Sequence, residues 1–175
     1  MTHDHKKDFR ILGVSPSIWG FGFVVLEGNN VLVDWDAKTT SKDKNARCIK
    51  EVKKLINLYE PDAMALFDYS AGSKRSLRVR GLNRRVIALA KGHKIKAELF
   101  TPEQVALLFF PDGGGTKHDI AQVLAERFSD ELGCRLPPKR AAWMRQDRRM
   151  DIFDAAALAV AIRLREKKAE LCGEK

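Results

Sequence analysis

The sequence predicts an α/β fold built on a mixed sheet, with three antiparallel strands first and helices flanking the sheet. Three short runs of apolar residues and glycine open the chain, and they are too short and too irregular to form helices. Helical and strand-like patterns then alternate, which is typical of parallel crossovers. An alanine-rich helical pattern closes the chain.

The opening strands are predicted at 11–14, 20–26 and 31–35. Gly28, Asn29 and Asn30 supply a turn signal between the second and third strands, so the simplest arrangement is antiparallel. The later elements follow from helical spacing or continuous apolar runs. In chain order they are helix 43–59, strand 63–67, helix 73–91, strand 94–100, helix 102–108, a helix through Ile120 and Phe128, and helix 151–168.

The chain reads as one domain over residues 1–175, with flexible tails at 1–9 and 169–175, because it holds no repeat and no linker-like boundary. No apolar run is long enough to span a membrane, and the start lacks the apolar middle of a secretory signal. Cys48, Cys134 and Cys172 are odd in number and far apart, which favours reduced thiols. We therefore expect a cytoplasmic protein.

The charge balance points to a polyanionic partner. The 175 residues carry 32 Lys and Arg against 23 Asp and Glu, which gives a formal net charge of +9. A sequence pI near 9.6 makes nucleic acid the leading candidate partner. A well-solvated basic surface is the alternative, and clustering of the charge decides between them.

Four segments carry a resemblance to a known family. They are 11–17 (Ile-Leu-Gly-Val-Ser-Pro-Ser) with 20–22 (Gly-Phe-Gly), 66–69 (Leu-Phe-Asp-Tyr), 115–120 (Gly-Thr-Lys-His-Asp-Ile) and 151–159 (Asp-Ile-Phe-Asp-Ala-Ala-Ala-Leu-Ala). Together, in this order and across residues 10–165, they resemble the RuvC family of Holliday-junction resolvases. The resemblance implies a ribonuclease H-like fold. It also implies cleavage of branched DNA by two divalent metal ions, Mg²⁺ or Mn²⁺, held between carboxylates.

The sequence departs from this family at two carboxylate positions. Ser15 stands where the family has a bridging Asp, and Phe67 stands where it has Glu. A hydroxyl is a weak neutral ligand for Mg²⁺, and phenylalanine offers none. Asp68 is adjacent, but side chains alternate along a strand, so we expect it to point away from the site. A degenerate site of this kind would hold no metal cofactor.

Asp151 and Asp154 are the candidate catalytic and metal-ligating residues that remain, three apart and therefore on one helical face. The alternative is that Asp151 only favours the positive end of the helix dipole and that Asp154 is solvated. For Asp154 we favour the remnant of a metal site, because a carboxylate between Phe153 and a run of alanines needs a reason to lie near a core. For Asp151 both interpretations stay open.

Three groups of bases are candidates for phosphate contacts. If 73–91 is one helix, positions 74, 78 and 85 share one face, and 80 and 84 lie on another. A solvated helix face is the alternative, which we disfavour because no acids interleave with these bases. Lys117 follows three glycines at a predicted helix start, where an anion is favoured. The full set is Lys74, Arg75, Arg78, Arg80, Arg84, Arg85, Lys117, Lys139 and Arg140.

Trp143 lies in the basic loop that follows Pro137 and Pro138. It either stacks on an unpaired base or anchors the loop to the core. We favour the anchor, since tryptophan in such a loop is more often packed.

Three functions are compatible with these patterns. The first is a RuvC-like protein that binds branched or distorted DNA and has a degenerate, inactive nuclease site. The second is an active Holliday-junction endonuclease with a rearranged site of Asp68, Asp151 and Asp154. The third is a non-catalytic subunit that pairs with an active resolvase. The resemblance also implies a homodimer, for which the helix at 73–91 has enough apolar residues to form an interface.

Overall fold

A computed structural model describes residues 8–70 and 73–173 of the chain. Its centre is a five-stranded mixed sheet in the order β3-β2-β1-β4-β5. The strands are β1 (Arg10–Pro16), β2 (Gly20–Glu27), β3 (Val31–Thr39), β4 (Ala63–Phe67) and β5 (Lys96–Phe100). Strand β2 is antiparallel to both β1 and β3, while β4 runs parallel to both β1 and β5. The predicted fold class, with three antiparallel strands first, is confirmed.

Helices cover both faces of the sheet. They are α1 (Lys44–Tyr59), α2 (Leu77–Gly92), α3 (Pro102–Phe109), α4 (Lys117–Arg127), α5 (Ser129–Leu132) and α6 (Met150–Gly173). Helices α1 and α2 pack on one face through a core that includes Val52 and Leu82. Helices α3, α4 and α6 pack on the other face, where Val105, Leu124 and Phe153 belong to a second core. Two separate cores therefore enclose the sheet.

Glycines set how closely α6 approaches the sheet. A Cβ atom on Gly13 would overlap the carbonyl oxygen of Ala155, and one on Gly22 would overlap that of Asp151. Only a residue without a side chain permits this contact. The first half of α6 is buried on every side, from Met150 to Ile162. The resemblance segments around Gly13 and Gly22 therefore place the start of α6 directly against β1 and β2.

Helix α2 begins later than predicted. Ser76 is its N-cap and accepts a hydrogen bond from the backbone N–H of Val79, so Lys74 and Arg75 precede the helix. The helical face predicted for Lys74 is therefore wrong. Val79, Leu82 and Val86 are buried in the core, so much of the apolar surface offered for a dimer interface is used within the chain.

The ends of the chain add two details. Residues 1–7 of the predicted N-terminal tail lie outside the described residues, while the ring of Phe9 lies 4.9 Å from the guanidinium carbon of Arg163. Helix α6 continues to Gly173 and includes 169–173, which the sequence assigns to a tail. Among residues 8–70 and 73–173, no helix has the length and apolar character needed to cross a membrane.

Candidate functional site

Ser15 and Phe67 lie on the neighbouring strands β1 and β4. Strand β1 pairs with β4 up to Gly13 opposite Ala65, and Ser15 and Phe67 each follow two residues later. Ser15 is 1% exposed and Phe67 is 7% exposed. Ser15 is paired with Gly22 on β2, against which Asp151 of α6 packs. Phe67 shares a cavity wall with Asp154. The two positions therefore meet the first turns of α6.

Asp151 is a buried carboxyl at this junction, 3% exposed. Loss of solvation raises its pKa from an ordinary value of 3.8 to about 6, and the negative charge of Asp154 adds to the rise. A hydrogen bond with the Ser17 side chain and the positive charges of Lys117 and Arg75 oppose it. Ser17 was not identified from the sequence. Its position directly after the end of β1, two residues beyond Ser15, was the available signal.

Asp154 is the second buried carboxylate, 5% exposed, and its partner is a lysine. The Lys117 Nζ atom lies 2.6 Å from Asp154 Oδ2 and also donates to Gln146 Oε1 at 3.0 Å. The alternative in which Asp154 is a solvated residue is therefore wrong. The Lys117 ammonium group therefore pairs with the Asp154 carboxylate that a metal ion would need as a ligand.

The start of α4 does not offer the free helix end that the sequence suggested for an anion. Thr116 caps the helix by accepting from the backbone N–H of Asp119, and the Asp119 carboxylate accepts from the Thr116 N–H and hydroxyl in return. In this capping box the Asp119 carboxylate occupies the helix N-terminus, where an external anion would otherwise bind. The Thr116 and Asp119 spacing is a sequence signal for the cap that we missed. Lys117 acts instead through its contact with Asp154.

The donor set does not fit a two-metal centre. Mg²⁺ needs several oxygen ligands, and a metal pair needs carboxylates on opposite sides. The arrangement supplies Asp151 and Asp154 from one helix, and Lys117 already neutralises Asp154. The Asp68 carboxylate accepts the backbone N–H of Ser70 at 2.9 Å, and Asp68 does not line the cavity shared by Phe67 and Asp154. Within the described ranges, no group of three or more His, Cys, Asp or Glu has a metal-binding arrangement.

Four bases surround a depression beside this junction, which we call the basic groove. It has a volume of about 350 Å³, and its cations are Lys117, Lys139, Arg140 and Arg145. Asp147 is the carboxylate on its wall, and it is already paired with Arg149 through contacts of 2.7 and 3.0 Å. Since Lys117 is paired with Asp154, the groove keeps three uncompensated positive charges, on Lys139, Arg140 and Arg145.

Two more predicted bases continue from the basic groove. Arg75 and Lys117 line the same cavity next to Phe67, and Lys74 lines a neighbouring depression together with Arg75. The two depressions and the cavity between them share Lys117 and Arg75 as lining residues. Together they are lined by five of the predicted bases, Lys74, Arg75, Lys117, Lys139 and Arg140.

The bases within α2 differ from one another. Arg78 donates to Asn45 Oδ1 at 3.1 Å and to the Ser17 carbonyl at 2.9 Å, so it joins α2 to α1 and to the end of β1. Arg80 is half-buried. Arg84 and Arg85 are exposed, and neither lines the basic groove. Phosphate contacts by Arg84 and Arg85 stay a prediction.

Trp143 does not anchor its loop. The residue is 86% exposed, so the favoured interpretation from the sequence is wrong. Its neighbours Met144 and Arg145 line the basic groove. Trp143 therefore presents a free aromatic face beside a cationic surface.

The Asp151 carboxyl gives a prediction on stability against pH. Its folded-state pKa of about 6 lies above 3.8, so the folded protein keeps an extra proton between these values. The contribution of Asp151 to stability is then fully present below this window and is lost as the pH rises through it. Since one pKa unit corresponds to about 1.4 kcal/mol, we expect Asp151→Asn to raise the free energy of unfolding at pH 7.5 by about 1–3 kcal/mol. Urea unfolding between pH 4 and pH 8 measures this effect.

Asp154→Asn is the matched control for that experiment. It removes the partner of Lys117 and is not expected to stabilise the protein. A loss of stability in Asp151→Asn at pH 7.5, or an unchanged pH profile, would contradict the pKa assigned to Asp151.

No protein-family model matches this sequence, and no curated protein matches it. Solved structures do resemble it. The Thermus thermophilus RuvC in complex with a Holliday junction substrate is 16% identical with a TM-score of 0.68, covering 91% of this chain and 96% of that chain. Thermus thermophilus RuvC is 19% identical with a TM-score of 0.66, covering 92% and 97%. The Fowlpox virus resolvase in complex with Holliday junction DNA is 16% identical with a TM-score of 0.54, covering 87% and 97%.

These similarities extend over nearly the full length of each chain. They agree with the resemblance drawn from the four sequence segments and with the observed strand order. The chain therefore has the fold of the RuvC-type Holliday-junction resolvases.

Proposed function

We propose that this protein binds branched DNA through the basic groove and does not cleave it by a two-metal mechanism. The observation that carries the proposal is the pairing of Lys117 with Asp154, at the place where a metal centre would need a free carboxylate. The same lysine lines the basic groove, so one residue links the substituted site to the cationic surface.

Charge supports the choice of partner. Phosphate contacts by Lys and Arg release condensed counterions, which gives affinity without a metal. Of the four cations of the basic groove, Lys117 is paired with Asp154, and the Asp147 carboxylate on the wall is paired with Arg149, which leaves Lys139, Arg140 and Arg145 for phosphates. Two of the similar structures hold Holliday junction DNA, which supports a branched substrate for a chain of the same fold.

Trp143 supports recognition of distorted DNA. Unpaired bases stack on aromatic side chains whatever their sequence, and a branch point offers bases that have lost a stacking neighbour. An 86% exposed tryptophan next to the basic groove suits that contact. We therefore assign Trp143 to stacking on nucleobases and the Lys and Arg side chains around it to contacts with phosphates.

We also propose a homodimer, since a four-way junction presents two equivalent strands and favours a two-fold symmetric partner. Leu77 is the apolar side chain at the start of α2 that stays 75% exposed. Light scattering coupled to gel filtration measures the oligomeric state.

The test of DNA binding compares a labelled four-way junction with a linear duplex of the same sequence, in EDTA, by fluorescence anisotropy. We expect tighter binding to the junction and an affinity that falls steeply with salt. Equal affinity for junction and duplex would remove the preference for branched DNA. Absence of binding at low salt would overturn the proposal.

A further inference from the structure

A small cavity lies beside the end of β4, between α3, α4 and α6. It has a volume of about 190 Å³. Apolar side chains make most of its wall, including Phe67, Val105, Ile120 and Phe153. The replacement of a carboxylate by Phe67 therefore leaves a formed apolar pocket rather than an incomplete metal site.

We propose that this cavity binds one nucleotide unit, with the base against its aromatic wall and the phosphate near Arg75 and Lys117. For a base that belongs to branched DNA, the proposal rests on the function proposed above. A free nucleotide offers the same chemistry, so the experiment below separates the two sources.

The aromatic wall suits a planar base. The rings of Phe67 and Tyr69 are stacked, with centroids 5.7 Å apart and an angle of 24° between their planes. Both residues line the cavity. Flat heterocycles gain stacking energy on such surfaces, and bases that leave a duplex are commonly held between aromatic and apolar side chains.

Tyr69 also provides a hydrogen-bonding group without a partner. The residue is 8% exposed, and its phenolic oxygen is buried with no hydrogen bond among the described residues. Burial raises the pKa of Tyr69 to about 12, so the phenol keeps its proton at neutral pH. A buried hydroxyl without a partner costs free energy. A ring nitrogen or carbonyl oxygen of a base would satisfy it.

The charges around the cavity favour an anion. Its charged side chains are Arg75, Lys117 and Asp154, which leaves one positive charge in excess. The Arg75 guanidinium carbon lies 5.8 Å from the centre of the Tyr69 ring, so a cation stands next to the aromatic wall. A base linked to a phosphate matches both parts of this surface.

The experiment fills the cavity without changing its charge. Ala106 lines the cavity and is half-buried, so Ala106→Phe would occupy the space. Leu107 is the next residue on α3, is 55% exposed and does not line this cavity, which makes Leu107→Phe the matched control. One arm measures the emission of a 2-aminopurine base at the crossover of a four-way junction. A second arm measures binding of deoxynucleoside 5′-monophosphates by calorimetry.

We expect wild type and Leu107→Phe to change the 2-aminopurine emission, and Ala106→Phe to lose that change while still binding the junction. Loss of mononucleotide binding in Ala106→Phe without a junction signal would assign the pocket to a free nucleotide. Tyr69→Phe removes the unpartnered hydroxyl, so we expect a roughly threefold to tenfold loss of nucleotide affinity together with a higher melting temperature of the free protein.

Two results would overturn the inference. One is intact junction binding with no effect of Ala106→Phe in either arm, which would leave the proposed DNA-binding function in place. The other is binding of N-acetylphenylalanine amide, measured by calorimetry, with no binding of nucleotides, which would assign the cavity to a protein side chain. If the junction itself does not bind, the proposed DNA-binding function fails. The mononucleotide arm alone then tests whether the cavity binds a nucleotide.

Discussion

Neutralising the basic groove is expected to weaken junction binding by about 500-fold at 0.1 M salt. The change is the triple variant Lys139→Ala, Arg140→Ala and Arg145→Ala. These three side chains are exposed and line the groove. Each lost phosphate contact removes about 0.9 from the slope of log affinity against log salt, which is about eightfold in affinity at this salt concentration. Fluorescence anisotropy over a series of salt concentrations measures both quantities.

The control removes three positive charges from the opposite face. Arg47, Lys50 and Lys53 are exposed on α1, which packs on the other side of the sheet from α4 and α6. Their replacement by Ala changes the net charge by the same amount. If the α1 variant weakens binding as much as the groove variant, the affinity reflects overall charge, and the groove is not the contact surface.

Introducing carboxylates at positions 15 and 67 is expected to create metal binding at a cost in stability. Ser15→Asp together with Phe67→Glu places acids at two neighbouring positions that meet α6. Loss of the buried Phe67 side chain is expected to lower the free energy of unfolding by about 3–5 kcal/mol without metal. Mn²⁺ at a concentration 100 times its dissociation constant is expected to raise the free energy of unfolding by about 2.7 kcal/mol. Urea unfolding with and without MnCl₂ measures both effects.

Ser15→Asn with Phe67→Gln is the matched control, because it has the same shapes without the charges. It is expected to lose similar stability and to gain nothing from Mn²⁺. Adding Lys117→Ala to the acidic variant removes the cation paired with Asp154 and is expected to tighten Mn²⁺ binding further. Equal responses of the acidic variant and its control to Mn²⁺ would show that these positions do not face a common site.

Much of the fold was predictable because the signals are local. Apolar runs, helical spacing and turn residues identified the strands, the helices and the antiparallel start of the sheet, and the glycines at 13 and 22 belong to segments whose tight packing the structure explains. The start of α2 was not predictable from the run of bases, since both Ser73 and Ser76 are plausible caps. The geometry selects Ser76 because its side chain reaches the Val79 N–H.

The site was predictable only in part, because its key contacts join distant segments. Ser15, Phe67, Asp151 and Asp154 were identified from their place in the four segments. The Lys117 and Asp154 pair was not, since nothing in the sequence near either residue names its partner. Trp143 shows the opposite failure. Its apolar ring suggests burial, but the loop around it leaves the ring in solvent.

The measurement that tests the account most directly follows a labelled four-way junction in Mg²⁺ and in Mn²⁺, with binding and strand cleavage recorded on the same samples of the unmodified protein. We predict a bound and uncut junction, with the same dissociation constant in EDTA at matched ionic strength. Cleavage that is metal-dependent and abolished by Asp154→Asn would contradict the account, because it would show that the remaining acids assemble a working metal centre despite Lys117.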